Sequence, residues 1–454
     1  MPKPQYKDII FPQDQNPSLS NVLTSLRRTN LTIHNRLASI RADARFVLAA
    51  AEAYGGRPLV ANERCGSWYI APADKAGSAY FKSTDGHERA WKFSTRRLNL
   101  HLVDIIEKND GVIIVDSTRR GKRMPDALSA TIPIWCTVMN LALLPSNPLS
   151  SHLFLPPSYS PSTHAQIAAL IPTFLASLRE LNLALPTTLT KPLRPFWVTQ
   201  DSALDDRGKG DVFEDYRPVI CCTASRRVVA GCEADEGGYI QGAADDTENW
   251  AHGLTPDVFW NNAAELLQAP EEDLPELITT LVAQEKSSRT QAENVTRLTP
   301  HISVCPLPLS PSTAGEGCCI ALTPDVTPKD AWVESPRHMK VGLGKSKAAS
   351  RNLRIALPDI CAFATKYLAS SGASGGHIVI ACESGRDLSV GTALALSCYL
   401  FDDEGNFRIP DETRSYTKPL VKIRLGTIMT AYPGGNPSRN TLQSVNSFLM
   451  DWRK

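Results

Sequence analysis

Apolar residues recur at helical spacing near the start of the chain. Leu26, Ile33, Leu37, Ile40, Ala44 and Val47 or Leu48 fall at helical intervals, with Arg27, Arg28, Arg36, Arg41 and Arg45 mostly off that line. The spacing predicts a basic amphipathic helix or helix pair. The run HAQIAALIPTFLASLREL places Ile167, Leu170, Ile171, Phe174, Leu175 and Leu178 on one side of a second helix, which Pro172 kinks or opens. Toward the C-terminus, DICAFATKYL predicts a helix through Ile360, Phe363, Ala364, Tyr367 and Leu368. HIVIA then reads as a short strand, SVGTALALSCYLF as the helix after it, and PSRNTLQSVNSFLMDW as a helix opening after Pro437.

Helix, strand, loop and helix in this order predict an α/β fold with a central sheet. Two domains are expected. The proline-rich run LLPSNPLSSHLFLPPSYSPST reads as a long surface loop, and the acidic block from Asp235 to Asp257 as a surface insertion. The stretch QEKSSRTQAENVTRLT lacks apolar mass and separates an N-terminal α/β domain, residues 1–287, from a C-terminal one, residues 298–454.

Composition narrows the class. With 42% hydrophobic and 21% charged residues the chain has globular proportions, and no apolar run approaches the roughly 18 residues that span a bilayer. The opening MPKPQYKDIIFPQDQN carries polar residues and prolines where a signal peptide would be apolar, so a cytosolic or nuclear home is expected, the cytoplasm first. Eleven cysteines without CxxC spacing fit neither a disulfide framework nor a zinc cage and read as reduced thiols, most of them in the core. Charge is segregated although the formal net charge is only +1. Residues 201–297 hold 20 acidic and 8 basic side chains, whereas residues 337–454 hold 16 basic and 9 acidic ones. Such a chain can hold a polyanion in a defined cleft, although each segment alone could equally be solvated surface.

Two strand-loop-helix turns carry candidate chemistry. In HIVIACESGRDLSVGTALAL, the loop Cys382, Glu383, Ser384, Gly385, Arg386, Asp387 ends a strand and opens a helix, where unpaired backbone N–H groups and the helix dipole favour an anion. The pattern is that of a cysteine phosphatase with one part exchanged. Leu388 stands where the phosphate-clamping arginine belongs, and Ser389 keeps the following hydroxyl. Phosphate binding without turnover fits best, with catalysis through Cys382 and an inert structural turn as the other readings. The second turn follows the apolar strand Val112 to Val115 and contains Asp116, Ser117, Thr118, Arg119, Arg120, Gly121, Lys122 and Arg123 before Pro125. Four cations beside a turn glycine make a stronger anion trap, and Asp116 could hold magnesium or act as a base. A basic surface loop with Asp116 paired to an arginine is the alternative.

Upstream, YFKSTDGH supplies Lys82, Ser83, Thr84, Asp85 and His87, and FSTRRLNLHL supplies Arg96, Arg97, Asn99 and His101. A core segment would not keep so many polar groups together unless they were paired.

These runs, with GVIIVDSTRRGKRMPDALSATIPIWC, VIACESGRDLSVGTALAL and PSRNTLQSVNSFLM, resemble the fungal and plant initiator tRNA phosphoribosyltransferase family. The resemblance touches both ends of the chain. It implies an enzyme that moves a 5-phosphoribosyl group from phosphoribosyl pyrophosphate to the ribose 2′-hydroxyl of adenosine 64 in the T stem of initiator methionine tRNA, keeping that tRNA out of elongation. It also implies a C-terminal domain similar to dual-specificity phosphatases. Leu388 departs from the phosphatase pattern, so phosphatase activity is not expected.

Chemistry sets the remaining expectations. A departing pyrophosphate needs lysine, arginine and usually Mg²⁺, which the Asp116–Arg123 loop could supply. The attacking hydroxyl needs a base, for which Asp116, Asp85 and His87 are candidates. A T stem is an A-form duplex, recognised by shape and phosphate contacts, for which Arg27, Arg28, Arg36, Arg41, Arg96 and Arg97 are candidates. Neither a membrane nor DNA is an expected partner. The two turns remain open alternatives for the donor, the first domain being favoured for chemistry and the second for phosphate and tRNA contacts.

Overall fold

The computed structural model describes residues 31–82, 90–204, 213–229, 238–288, 295–309, 317–370, 376–410 and 416–451. Arg27, Arg28, Ser83, Thr84, Asp85 and His87 lie outside these residues.

The first described helix, α1, spans Ile33–Ala53, and Leu26 of the apolar pattern lies outside the described residues. Thr32 caps it by accepting the Asn35 N–H, and the Glu271 carboxylate accepts the N–H groups of Ile33 and His34, each at 2.8 Å. Its buried face carries Ile33, Leu37, Ile40, Ala44 and Val47, as the spacing requires, while Leu48 is exposed.

Five strands follow: β1 (Leu59–Asn62), β2 (Lys75–Ala79), β3 (Val112–Asp116), β4 (Leu193–Val198) and β5 (Arg217–Thr223). They pair in the order β2-β1-β3-β5-β4, every pairing parallel. β3 is buried along its whole length, which accounts for its unbroken apolar run VIIV. The helices α2 (His101–Lys108), α3 (Ile132–Leu143) and α4 (Pro161–Arg179) pack on one face of this sheet, and α1 covers the other. Pro172 lies inside α4, and Ile167, Ile171 and Leu178 form its buried stripe.

From residue 238 onward the acidic block is not a surface insertion. Ile240, Ala243, Ala244, Trp250, Ala251 and Leu254 belong to the core beneath α1, whereas Asp246 and Glu248 face outward. Apolar residues between the charges supply the burial, and the local excess of carboxylates masks it in composition. The helices α5 (Pro256–Asn261), α6 (Ala263–Gln268) and α7 (Leu274–Ser288) complete that core.

A second sheet begins at Thr296. Its strands are β6 (Thr296–Thr299), β7 (Ile302–Pro306), β8 (Cys318–Thr323), β9 (Val333–Ser335), β10 (His338–Gly342) and β11 (Ile378–Cys382), in the order β6-β7-β11-β8-β10-β9. The inner four are parallel, and the edge strands β6 and β9 run antiparallel to their neighbours. Helices α8 (Ser346–Ser370), α9 (Leu388–Leu400), α10 (Lys418–Ala431) and α11 (Arg439–Asp451) build its core, with α9 almost entirely buried. None of the ten cysteines among the described residues is in a disulfide, and all are buried. Among those residues no helix is long and apolar enough to cross a membrane.

The two α/β units touch through α10. Gly426 lies against Leu183 and Leu181 of the first unit, and a Cβ there would stand 3.3 Å from Leu183 Cδ1. Glycine permits this approach, which brings the carboxyl edge of the first sheet beside the turn that follows α10.

Candidate active site

In an open parallel sheet the binding crevice lies at the carboxyl ends of the strands, where the chain's direction of winding reverses. With the order β2-β1-β3-β5-β4, that point lies between β1 and β3. Asn62 closes β1 and Asp116 closes β3. The Asn62 amide donates to Asp116 Oδ2 at 2.8 Å and to the Phe81 carbonyl at 3.0 Å, and its Oδ1 accepts the Phe81 N–H at 2.8 Å. One buried amide therefore ties the ends of β1 and β3 to the segment leaving β2.

Asp116 is fully buried. Its Oδ1 accepts from the Ser117 N–H at 2.7 Å, the Cys65 thiol at 3.1 Å and Arg64 Nη2 at 3.3 Å. Neither oxygen is open, and a guanidinium already supplies the compensating charge. These contacts leave Asp116 no room for the magnesium or general-base role expected of it; it is an anchor for Arg64 and Asn62. Arg64 also donates to the Ser117 carbonyl and pairs with Asp245 at 3.0 Å. Among the described residues no three His, Cys, Asp or Glu side chains gather as a metal site.

The rest of the second turn is pinned from below. Ser225 Oγ accepts the Thr118 N–H and donates to the Thr118 carbonyl, while Gln241 accepts the Gly121 N–H and donates to the Lys122 carbonyl. Gly121 has φ +71°, and a Cβ would meet the Val229 carbonyl oxygen at 2.9 Å, so the turn requires glycine. Two of the four cations are partnered: Arg119 pairs with Asp246, and Lys122 stands 3.7 Å from Asp126. Arg120 and Arg123 are exposed, with no ionic partner among the described residues.

A cavity of about 490 Å³ opens between the two units. From the first unit it is lined by Glu63, Arg64, Lys82, Arg96 and Arg97, and from the second by Asn436 and Arg439, with Tyr80 and Leu442 among its walls. The tip of the Arg119–Arg123 turn does not line it. Five cations thus face one carboxylate. Glu63 Oε1 accepts from Lys75 at 2.8 Å, from Ser67 at 2.9 Å and from Ser78. Oε2 accepts from no protein donor among the described residues. Burial alone would raise the Glu63 carboxyl, but the donors from Lys75, Ser78 and Ser67 outweigh it and hold it below the usual range.

The arginine pair is aimed by its neighbours. Asn99, in a left-handed conformation at φ 52°, accepts the Tyr80 N–H at 3.0 Å. Trp135 donates to the Leu98 carbonyl at 2.6 Å, and the His101 ring meets the Ser78 carbonyl at 2.8 Å. Burial lowers the His101 imidazole, which favours its neutral form. These contacts explain the polar residues of FSTRRLNLHL as scaffold for Arg96 and Arg97. Arg97 stacks on Tyr80 and donates to the Gly435 carbonyl and the Asn436 side chain.

The phosphatase-like turn lies next to this bridge. The Asn436 N–H donates to the Arg386 carbonyl at 2.7 Å, and Asp387 accepts from the Ser438 N–H at 2.8 Å and the Thr441 hydroxyl at 2.6 Å, binding the turn to the start of α11. Cys382 is 2% exposed, and its thiol donates to Ser389 Oγ at 3.2 Å. The Gly385 N–H returns to the Cys382 carbonyl and the Arg386 N–H to Ser384 Oγ, so two donors of the expected anion nest are used within the turn. Glu383 is exposed, and Leu388 packs half-buried against the second core. Burial raises the Tyr80 hydroxyl, against the positive charges of Arg386 and Arg97.

Of the other expected contacts, Arg36 donates to the Ala243 carbonyl at 2.9 Å and lies over Trp250, and Arg41 is exposed on α1. Glu63, Arg64 and Arg439 were not anticipated. The signal for the first two is a polar NER run directly after the strand LVA; nothing local in the sequence marks Arg439. A second buried carboxylate, Asp43 on α1, accepts from Tyr239 at 2.8 Å and Gln200 at 2.8 Å beneath the ends of β4 and β5.

The family described as Rit1 N-terminal domain matches residues 26–283, and the one described as Rit1 DUSP-like domain matches residues 337–449. The tRNA A64-2′-O-ribosylphosphate transferase of Saccharomyces cerevisiae is 34% identical over 95% of this chain and 95% of its own length. An uncharacterized protein of Schizosaccharomyces pombe is 46% identical over 59% of this chain and 60% of its own length. The crystal structure of human DUSP28 aligns with 36% of this chain and 97% of its own, at 13% identity and a TM-score of 0.25.

Proposed function

The chain belongs to the Rit1 family, and from that premise we propose that it transfers a 5-phosphoribosyl group from phosphoribosyl pyrophosphate to the ribose 2′-hydroxyl of adenosine 64 in the T stem of initiator methionine tRNA. The observation that carries this reading is the match to the yeast transferase along nearly the whole of both chains. The cleft between the two units is where the chemistry would occur.

In the reaction the 2′-oxygen bonds to the anomeric carbon of the donor, the bond from that carbon to pyrophosphate breaks, and the hydroxyl proton leaves for a base. The developing pyrophosphate charge calls for fixed cations in a partly desolvated site. Arg64, Lys82, Arg96, Arg97 and Arg439 line such a site. Glu63 is the base in this reading, because it is the carboxylate of the cleft lining and has one oxygen open. Asp116 positions Arg64 and takes no proton. Asp116 does not fit magnesium, so the ion enters this reading only as a companion of the donor's pyrophosphate, consistent with a metal that usually needs just one or two protein carboxylates beside substrate phosphates.

The C-terminal unit serves as a pseudophosphatase that binds RNA and closes the cleft. A phosphatase reading through Cys382 has no support in a thiol that is 2% exposed and lacks the clamping arginine. A cytoplasmic location belongs to the same proposal. The test is to incubate the full chain with donor labelled in the ribose and purified initiator tRNA, then map the adduct. Label on the ribose of adenosine 64 is expected; an unlabelled tRNA, or label on another nucleotide, would overturn the assignment.

A further inference from the structure

A second cavity of about 560 Å³ adjoins the cleft and shares Arg96, Leu425, Arg439 and Leu442 with it. It is a groove between α10 and α11. Lys418 and Lys422 stand one helical turn apart on α10, about 6 Å along its axis. Arg439, Gln443 and Asn446 follow the same side of α11 at helical spacing. Lys418, Lys422, Arg439 and Gln443 are exposed, and none of the three cations has an acidic partner among the described residues. Asp451, the last residue of α11, is the one acidic residue in the two helices. By contrast Arg424, on another side of α10, is paired with Asp403. The unpaired cations are therefore collected on the groove side.

We propose that this groove seats the sugar-phosphate backbone of the acceptor RNA's A-form duplex, with Lys418 and Lys422 on successive phosphates and Gln443 and Asn446 toward the shallow-groove edge. The inference rests on the transfer reading above and deepens it by locating the acceptor. A duplex is too wide to enter a cavity of this volume, so it lies across the surface. Its backbone follows the α10–α11 groove, and the shallow groove, which displays the 2′-hydroxyls, opens at Arg96 into the cleft. Phosphate contacts fix register and carry no sequence information, so this surface orients the stem and leaves the choice of tRNA to other contacts. An acidic protein segment would match the charge too, but continuity with the cleft favours the RNA.

The test uses the full chain with both lysines changed, Lys418→Gln with Lys422→Gln, and measures the affinity for initiator tRNA across a salt series beside steady-state transfer. Affinity is expected to fall about tenfold or more, and the slope of log affinity against log salt to become shallower by about two. The loss in kcat/KM for tRNA should enter through KM. Both side chains are exposed, so the thermal midpoint should match the wild type, and Lys418→Arg with Lys422→Arg should restore binding. Unchanged affinity and salt slope in the glutamine variant would overturn the groove, including in favour of a protein partner, while leaving the transfer reading intact. Conversely, tRNA binding that depends on these lysines in a chain that transfers nothing would support the groove and overturn the proposed reaction.

Discussion

Arg97 lies over the ring of Tyr80, its guanidinium carbon 4.3 Å from the ring centroid, and from there it reaches the Gly435 carbonyl and the Asn436 side chain of the other unit. Asn436 in turn donates to the Arg386 carbonyl of the phosphatase-like turn. One planar cation thus joins the carboxyl edge of the first sheet to the remodelled loop of the second. Burial lowers the Arg97 guanidinium, which remains charged throughout the working range of pH.

Arg97→Lys should reduce transfer by about tenfold or more, because an ammonium cannot both stack on Tyr80 and make the forked contact. Steady-state assay beside a thermal melt checks this. A variant as active as the wild type would mean that the bridge does not shape the cleft.

Glu63→Gln should lower kcat by about 10²–10⁴-fold, the usual range for removing a general base. Because the carboxyl is held below its usual range, the wild-type rate should fall only at low pH, and that acidic limb should vanish in the variant. A pH–rate profile with the same acidic limb in both proteins would assign the proton to another group.

Asp116→Asn keeps the shape of the side chain but removes the charge facing Arg64 and one acceptor. Transfer should fall by about a hundredfold through misplacement of Arg64, with a loss of about 1–3 kcal/mol in stability. Denaturant titration and single-turnover rates separate the two effects. A loss of stability without loss of rate would reduce Asp116 to a purely structural anchor.

Hydrolysis of an aryl phosphate should stay at background in the wild type, and Cys382→Ala should retain transfer within about twofold, since a buried thiol bonded to Ser389 is no nucleophile. Turnover of the aryl phosphate that disappears in Cys382→Ala would reverse this assignment.

Burial raises the Asp43 carboxyl to about 8, against the opposing hydrogen bonds from Tyr239 and Gln200. The same carboxyl in an unfolded chain titrates near about 3.9. Between these values the folded chain holds a proton that the unfolded chain does not, so the contribution to stability is fully present below about pH 4 and is lost as pH rises through about 8. Thermal midpoints should therefore decline more steeply from pH 5 to pH 8.5 in the wild type than in Asp43→Asn. Parallel curves would show that Asp43 is ionised in the folded protein.

The elements and the class are legible in the linear pattern. Apolar spacing located α1, α4, α8 and α11, the runs VIIV and HIVIA marked the two central strands, and strand-loop-helix order marked both turns, because these signals are local and depend only on backbone period. The acidic block misled, since composition averages over the alanines and Trp250 that carry its burial. Tertiary structure decided which polar groups are free. Asp116 and Arg119 look available in the linear sequence and are engaged by Arg64 and Asp246, residues distant along the chain. It also decided that the cleft lies between the units, where Arg64, Arg97 and Arg439 come together from three separate segments. Charges become a site where packing gathers them on one cavity wall, and that gathering is set by contacts between parts of the chain whose spacing no local pattern encodes.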